Sequence, residues 1–515
     1  MQHIFWENPG YRVCFGPLPR RAQLLPWMAI ALFSTGCGDR VATTKRSLTT
    51  FPAVTIRVAC PNEQVAKMVE QFKPSATSPS GLNVVCFQYD PNTEPGGGDV
   101  WIIPPARMPH FAAAEKLQPV PSDITTDDPA YAWDDILPLY RSKLLVWDGK
   151  VRALPFLSGT LLCYYREDLL KDPENQANFK RKHGRDLSPP ATWEELLDMA
   201  EFFHNQKRPG VDHACPSLPA VDEANDALDQ QFYALAVSYA RRAIVADASG
   251  RGFGDEVFSF HYDLRSGQPR IDQPGFVHAL EVFKRLGKFR QPGSSPEPER
   301  SFENGEAVFC VGPASWIGKF QKSRFVRDKF AFCQSLPGAT KVIDGRGGKE
   351  SAIAGGNHVP YLGAGGWLAV VPATSPNPEP AFRLIAALSN PRTSADIVIE
   401  PAWGGGVYRQ SHLQRGIGWT SFGLSSARTE ELVNCMRSAV QPGQVRNPVL
   451  RLRIPDERSH QLALLSEIRA ALFKDKKPSQ AIADAAAQWR DLDSKRPAGE
   501  VRTEYRLSLS LSRGE

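Results

Sequence analysis

The sequence predicts an α/β protein of two lobes or domains, and three observations carry that prediction. A chain of 515 residues exceeds what one ordinary hydrophobic core holds together. Strand-like and helix-like patterns alternate between residues 54 and 103 in the manner of a parallel sheet. Helix-spaced apolar stripes then recur to the C-terminal region, in a composition of 42% hydrophobic and 23% charged residues that suits a folded globular chain rather than a disordered one.

The elements follow in order. Val54-Thr55-Ile56-Arg57-Val58-Ala59 is β-branched and bounded by Pro61-Asn62, which makes it a short strand. Val65, Met68, Val69 and Phe72 recur at i, i+3, i+4 and i+7 and predict a helix. Leu82 to Tyr89 is again strand-like, and a Pro/Gly-rich loop leads to a third strand at Asp99-Val100-Trp101-Ile102-Ile103. Further on, Lys150 to Pro155 turns into the apolar run Leu161 to Tyr165. Thr192-Trp193-Glu194-Glu195 is a capping box opening a helix that carries Leu196, Leu197 and Ala200 on one side. Pro274 introduces Phe276, Ala279, Leu280 and Phe283 at helical spacing, and Pro478-Ser479 does the same for Ile482, Ala485, Ala486 and Trp489. Core packing accounts for these stripes better than a cofactor would.

The N-terminus addresses the compartment. Leu24 to Phe33 is a ten-residue apolar stretch behind Arg20 and Arg21, too short to span a bilayer and suited to the h-region of a secretion signal. Ser34-Thr35-Gly36-Cys37 follows and resembles a bacterial lipobox, although the family usually has Leu where Ser34 stands. The expectation is a signal peptide over 1–36, a lipidated Cys37 and a polar tether over 37–50. The nine cysteines show no CxxC pair and no spacing suited to zinc, so no metal is expected. Cys60 with Cys86, and Cys310 with Cys333, stand where either pair would cross-link in an oxidising compartment; the alternative is four buried thiols acting as small hydrophobes.

Four stretches taken together resemble the extracellular solute-binding proteins of ABC-type sugar importers, the family that includes the maltose-binding protein. The first runs from Gly98-Asp99-Val100-Trp101 to Leu117-Gln118-Pro119-Val120. The second, the most specific, is Asp148 to Phe156, then Tyr164-Tyr165-Arg166-Glu167-Asp168-Leu169-Leu170, then Pro189 to Leu196. The third is Phe302 to Val308, then Gly312-Pro313-Ala314-Ser315-Trp316 and Leu336-Pro337-Gly338. The fourth is Gly365 to Pro372, then Asn377-Pro378-Glu379 and Asn390-Pro391. The resemblance implies a two-lobed fold of the periplasmic-binding-protein type (type II), with discontinuous lobes that close on ligand about a hinge. It places the N-terminal lobe at 51–157 plus about 362–415 and the C-terminal lobe at 158–361 plus about 416–515. The crossings are expected near Phe156 to Thr160, near Tyr361 to Trp367 and after Tyr408.

A sugar presents hydroxyls at its edge and apolar C–H faces, so a receptor needs fixed donors and acceptors beside flat aromatic surfaces. By resemblance, Trp316 and Trp367 are stacking platforms at the cleft, with Gly366 beside the second. Asn62 and Glu63 follow the first strand and are placed to bond ligand hydroxyls; Glu63 serves equally as a first-turn charge on its helix. Ser158, Gly159 and Thr160 fall at a crossover with polar ligand contacts, where an acidic residue common in the family is missing. In Trp403-Gly404-Gly405-Gly406-Val407-Tyr408 the glycines either let backbone approach a ligand or form a connector with Tyr408 packed beneath. Arg107 either reaches in or caps the surface.

Catalytic patterns are absent: no GxSxG elbow, no HExxH, no Walker A loop and no Rossmann glycine fingerprint. With a net charge of +5 and no basic stripe interleaved with aromatics, nucleic acid is not an expected partner. The function expected is capture of a small polar solute, a carbohydrate by resemblance, by a monomeric lipoprotein of the cell envelope that needs no cofactor and docks on an importer's membrane subunits. The alternative is an orphan sensing or surface-binding lipoprotein uncoupled from transport.

Overall fold

The computed structural model describes residues 54–74, 82–204, 206, 228–244, 255–290, 298–363, 365–414, 418–440, 445 and 447–513. The expected signal peptide, Cys37 and the tether lie outside the described residues. Among the described residues no helix is long and apolar enough to cross a membrane, and no group of three or more His, Cys, Asp or Glu is placed to hold a metal ion.

The first lobe is organised by strands β1 (Val54–Cys60), β2 (Leu82–Gln88), β3 (Val100–Ile103) and β4 (Leu154–Ser158). Helix α1 (Glu63–Phe72) connects β1 to β2 and buries Val65, Met68 and Val69, the stripe its spacing predicts. β1 pairs in parallel with both β2 and β3, as a strand–helix–strand sequence requires. Asp99, just before β3, is buried; its carboxylate accepts from the Arg57 amide at 2.9 Å, the Ser375 hydroxyl at 3.0 Å and the Asn377 side-chain amide at 3.1 Å. That single acid thereby ties β1 and β3 to a segment some 280 residues later.

After β4 the chain passes through Gly159 and Thr160 into β5 (Leu161–Arg166), which belongs to a different sheet. In the second lobe α2 (Trp193–His204), α3 (Leu228–Ala240) and α4 (Pro274–Gly287) bury their apolar stripes. The capping box forms: the Glu195 amide donates to Thr192 Oγ1 at 3.2 Å, and the Glu195 carboxylate accepts from the Ala191 amide at 2.7 Å. The small sheet of this lobe has β5 at its centre, flanked by β6 (Phe309–Pro313) and β7 (Phe330–Phe332), both antiparallel to it.

The chain re-enters the first lobe as β8 (Gly366–Val370), inserted between β3 and β4 and antiparallel to both. The early strands read as a parallel sheet, and β8 departs from that pattern for a topological reason. β4 leaves its lobe at the hinge and β8 enters there, with Gly366 opposite Ser158, so the two strands run in opposite senses. Near the C-terminus α5 (Glu457–Phe473) and α6 (Pro478–Ser494) pack against each other and against the second-lobe helices. The last helix, α7 (Glu500–Ser508), bridges the lobes. Its Tyr505 hydroxyl accepts from the Phe260 and His261 amides at 3.3 and 3.2 Å, while the Ser508 carbonyl shares the buried Arg453 guanidinium with the carbonyls of Lys143 and Leu144. The six cysteines among the described residues are all free thiols, so neither Cys60–Cys86 nor Cys310–Cys333 is bridged.

Candidate functional site

Two passages of chain cross between the sheets side by side, and the site grows from their contact. At Gly159 an added Cβ would lie 2.3 Å from the Gly365 backbone, and at Gly366, with φ of +88°, it would lie 2.3 Å from the Leu157 carbonyl oxygen. The crossing strands therefore touch backbone to backbone, which only glycine permits. Gly159 is thus demanded by packing. Ser158 and Thr160 flank it, their hydroxyls 3.1 Å apart. The Ser158 amide donates to Gly406 at 3.0 Å, and Thr160 accepts from the Ala314 amide at 2.8 Å. The crossover is thereby pinned to both the glycine-rich loop of the first lobe and the Gly-Pro turn of the second.

A cavity of about 150 Å³ opens between the lobes at this point. From the first lobe come Gly366, Trp367 and Trp403 with Gln64 and Met68 of α1; from the second come Gln230 of α3 and the Pro313-Ala314-Ser315 turn, with the crossover residues Ser158, Gly159 and Thr160 between. Trp367 is half-buried, whereas Trp403 is 6% exposed and sets its ring edge-on to Phe72 at 6.4 Å. A neighbouring cavity of about 350 Å³ shares Gly159, Thr160 and Leu161 and is lined further by Tyr140, Tyr361, His358 and Arg437. It holds none of the predicted aromatic platforms, so the smaller cavity is the candidate site.

Of the sequence-predicted residues, six meet in that cavity: Ser158, Gly159, Thr160, Gly366, Trp367 and Trp403. Four have other occupations. Asn62 is the N-cap of α1, its side-chain oxygen accepting from the Val65 amide at 2.9 Å. Glu63 is exposed and pairs with Lys67 at 2.7 Å, which holds its carboxyl below the usual range. Trp316 lies across Gly312 and meets Phe320 edge-on at 6.1 Å, outside the cavity lining. Tyr408 is fully buried against His412, ring centroids 4.8 Å apart, and burial pushes its phenol up to about 12. Arg107 lays its guanidinium over the Phe111 ring at 5.3 Å. Sequence reasoning missed Gln64, Gln230 and Ser315. Gln64 sits one turn before Met68 and shares its helix face, a signal that was present; Gln230 opens α3 with no local pattern to mark it.

Not one described residue lining the cavity is ionisable. The charges gather behind it. Asp229, next to Gln230, is 1% exposed and faces Arg451 at 3.6 Å, and Arg451 pairs with the buried Glu457 at 3.1 Å. Burial pushes both carboxyls upward while Arg451 pulls them down. The described lining offers hydroxyl and amide hydrogen bonds plus two indole surfaces, the groups of a binding site for a polar solute.

The family described as bacterial extracellular solute-binding protein matches residues 87–406. Among solved structures, maltose-bound MalE3 of T. maritima is 19% identical, with a TM-score of 0.58 over 85% of this chain and 100% of that one. The GacH receptor of Streptomyces glaucescens GLA.O, solved unliganded and with acarbose, is 16% identical, with a TM-score of 0.59 over 85% of this chain and 98% of the other. An ABC transporter solute-binding protein of Agrobacterium radiobacter K84 in complex with ribitol is 18% identical, with a TM-score of 0.59 over 85% and 99%. These similarities are to two-lobed binding proteins, and the order of sheets found here is their fold.

Proposed function

This chain belongs to the bacterial extracellular solute-binding protein family, and from that premise we propose that it captures a carbohydrate or polyol between its lobes and delivers it to the membrane subunits of an ABC importer. The observation that carries the ligand class is the interlobe cavity itself, in which two indoles, three hydroxyls and two primary amides converge. Aromatic faces suit the C–H faces of a sugar, and the polar groups suit its hydroxyl edge. Structural relatives solved with maltose, acarbose and ribitol support the same class. The lobes comprise 51–157 with about 362–415, and 158–361 with about 416–515, and they close about the Gly159 and Gly365 crossings. Ligand contacts are made by Ser158, Thr160, Trp367 and Trp403; Asn62, Trp316 and Tyr408 support the walls.

The apolar run Leu24 to Phe33 followed by Ser34-Thr35-Gly36-Cys37 supports export and a lipid anchor on Cys37, so the receptor works at the outer face of a membrane as a monomer. A melting-temperature screen of the chain without residues 1–37 against mono- and oligosaccharides and polyols tests the binding reading. Ligand at a hundred times its dissociation constant should add about 2.7 kcal/mol; no shift across a broad panel would remove the ligand class. Loss of membrane association in Cys37→Ser tests the anchor.

A further inference from the structure

We propose that the cleft selects an uncharged ligand of single-ring size and that Gln64 and Gln230, amides contributed from opposite lobes, are its specificity-determining residues. This rests on the binding reading above and narrows it.

The lining carries the argument. Among the described residues that form the cavity there is no Asp, Glu, His, Lys or Arg. A carboxylate or ammonium on the ligand would give up its hydration there and meet only neutral dipoles, which do not repay the loss. Asp229, beside Gln230, is absent from the lining. Its Oδ2 is turned to Arg451 at 3.6 Å and accepts from the Gln461 side chain at 3.0 Å, and the other oxygen, Oδ1, is buried without a hydrogen-bond partner. Glu63, one residue before Gln64, is exposed and held by Lys67 at 2.7 Å.

Size narrows the class again. A cavity of about 150 Å³ has room for a small solute such as one sugar ring or a short polyol. Within that space the polar edge is divided between the lobes. Gln64 stands on α1 of the first lobe, where its Nε2 donates to the Ala402 carbonyl at 2.9 Å and so fixes the amide. Gln230 and Ser315 stand on the second. An amide carries both donor and acceptor, so a hydroxyl bridging Gln64 and Gln230 is recognised from both lobes at once without any charge. Closure is then rewarded by a neutral hydroxyl pattern alone.

The experiment titrates the full chain in mild detergent, by calorimetry, with neutral hexoses, hexitols and pentitols, a hexuronate, a protonated amino sugar and a disaccharide. Expected is binding of a neutral monosaccharide or polyol, with the charged analogues and the disaccharide at least a hundredfold weaker. Affinity should be flat with added salt and from about pH 5 to about pH 9, since none of the described lining residues is ionisable. In Gln230→Glu the neutral ligand should bind at least tenfold more weakly and acquire a pH dependence near the carboxylate range, with the melting temperature of the unliganded protein little changed; Gln230→Met should lose affinity without any pH dependence. Tightest binding of a charged analogue or of the disaccharide, or wild-type affinity and pH behaviour in Gln230→Glu, overturns this inference and leaves the receptor reading standing. Silence towards every saccharide and polyol overturns both.

Discussion

Gln230 and Asp229 are neighbours on α3, yet one lines the ligand cleft and the other sits in the buried network around Arg451. The two surroundings manage polarity in opposite ways. In the network every charge has a partner supplied by the fold: Arg451 lies between Asp229 and Glu457, and Arg453 is wrapped by the carbonyls of Lys143, Leu144 and Ser508, with burial pushing its guanidinium down to about 9. Among the described residues lining the candidate cleft there is no charge, which suits the proposed partner, a ligand that comes and goes. A charge left there would stand unpaired whenever the closed cleft was empty. Permanent partners allow ionic groups, and transient ones favour neutral dipoles.

The largest expected effect comes from breaking the charged side. Arg451→Met leaves Asp229 and Glu457 buried without their cation and should cost about 3–5 kcal/mol, read by urea denaturation; a change under about 1 kcal/mol would mean the network is better hydrated than its burial implies. Gly159→Ala acts on the cleft's wall, where the new Cβ meets the Gly365 backbone at 2.3 Å. Overpacking of that kind costs about 1–3 kcal/mol and should also weaken ligand binding, because the crossing strands are forced apart. On the neutral side, Trp367→Ala should lower ligand affinity at least tenfold, about 1.4 kcal/mol, with the charged network untouched; full affinity would place the stacking surface elsewhere.

Histidine 261 sharpens the contrast through pH. It is fully buried, and burial together with nearby Arg451 holds its imidazole down at about 3. The unfolded chain therefore binds the extra proton first, so this group weakens the fold as pH falls below about 6.5. The expected loss from this residue is about 1 kcal/mol between pH 6.5 and pH 5.5. It should vanish from the pH profile of His261→Gln; an unchanged slope would assign the acid sensitivity to other groups. Smallest of all is Glu63→Gln. Its carboxylate is exposed and pairs only with Lys67, so neither melting temperature nor ligand affinity should move, and a drop in affinity would return Glu63 to the site.

What could be read from sequence divides along the same line as what is local. The strand–helix–strand unit from Val54 to Gln88, the capping box at Thr192 and the apolar stripes after Pro274 and Pro478 all formed where the pattern put them, because each depends on neighbours within one or two turns. Asn62 shows a local rule overlooked: an Asn directly before a helix is first an N-cap, and its oxygen is spent on Val65. Trp316 and Trp367 look alike in sequence, each following a turn of Gly or Pro, but only Trp367 reaches the cavity. The path of the chain beyond each ring, not the motif, sets its direction.

By itself the sequence determined the α/β class, since hydrophobic period, caps and turn residues act over a few residues and their order along the chain is fixed; the two-lobe plan is what the family resemblance implied. Tertiary structure alone decided that β8 runs antiparallel between β3 and β4, that Gly159 is needed for its contact with Gly365, and that Gln64 and Gln230 face one cavity from two lobes. Those facts join residues more than a hundred positions apart. No local pattern encodes such distances, because they are settled only when the crossing strands pack.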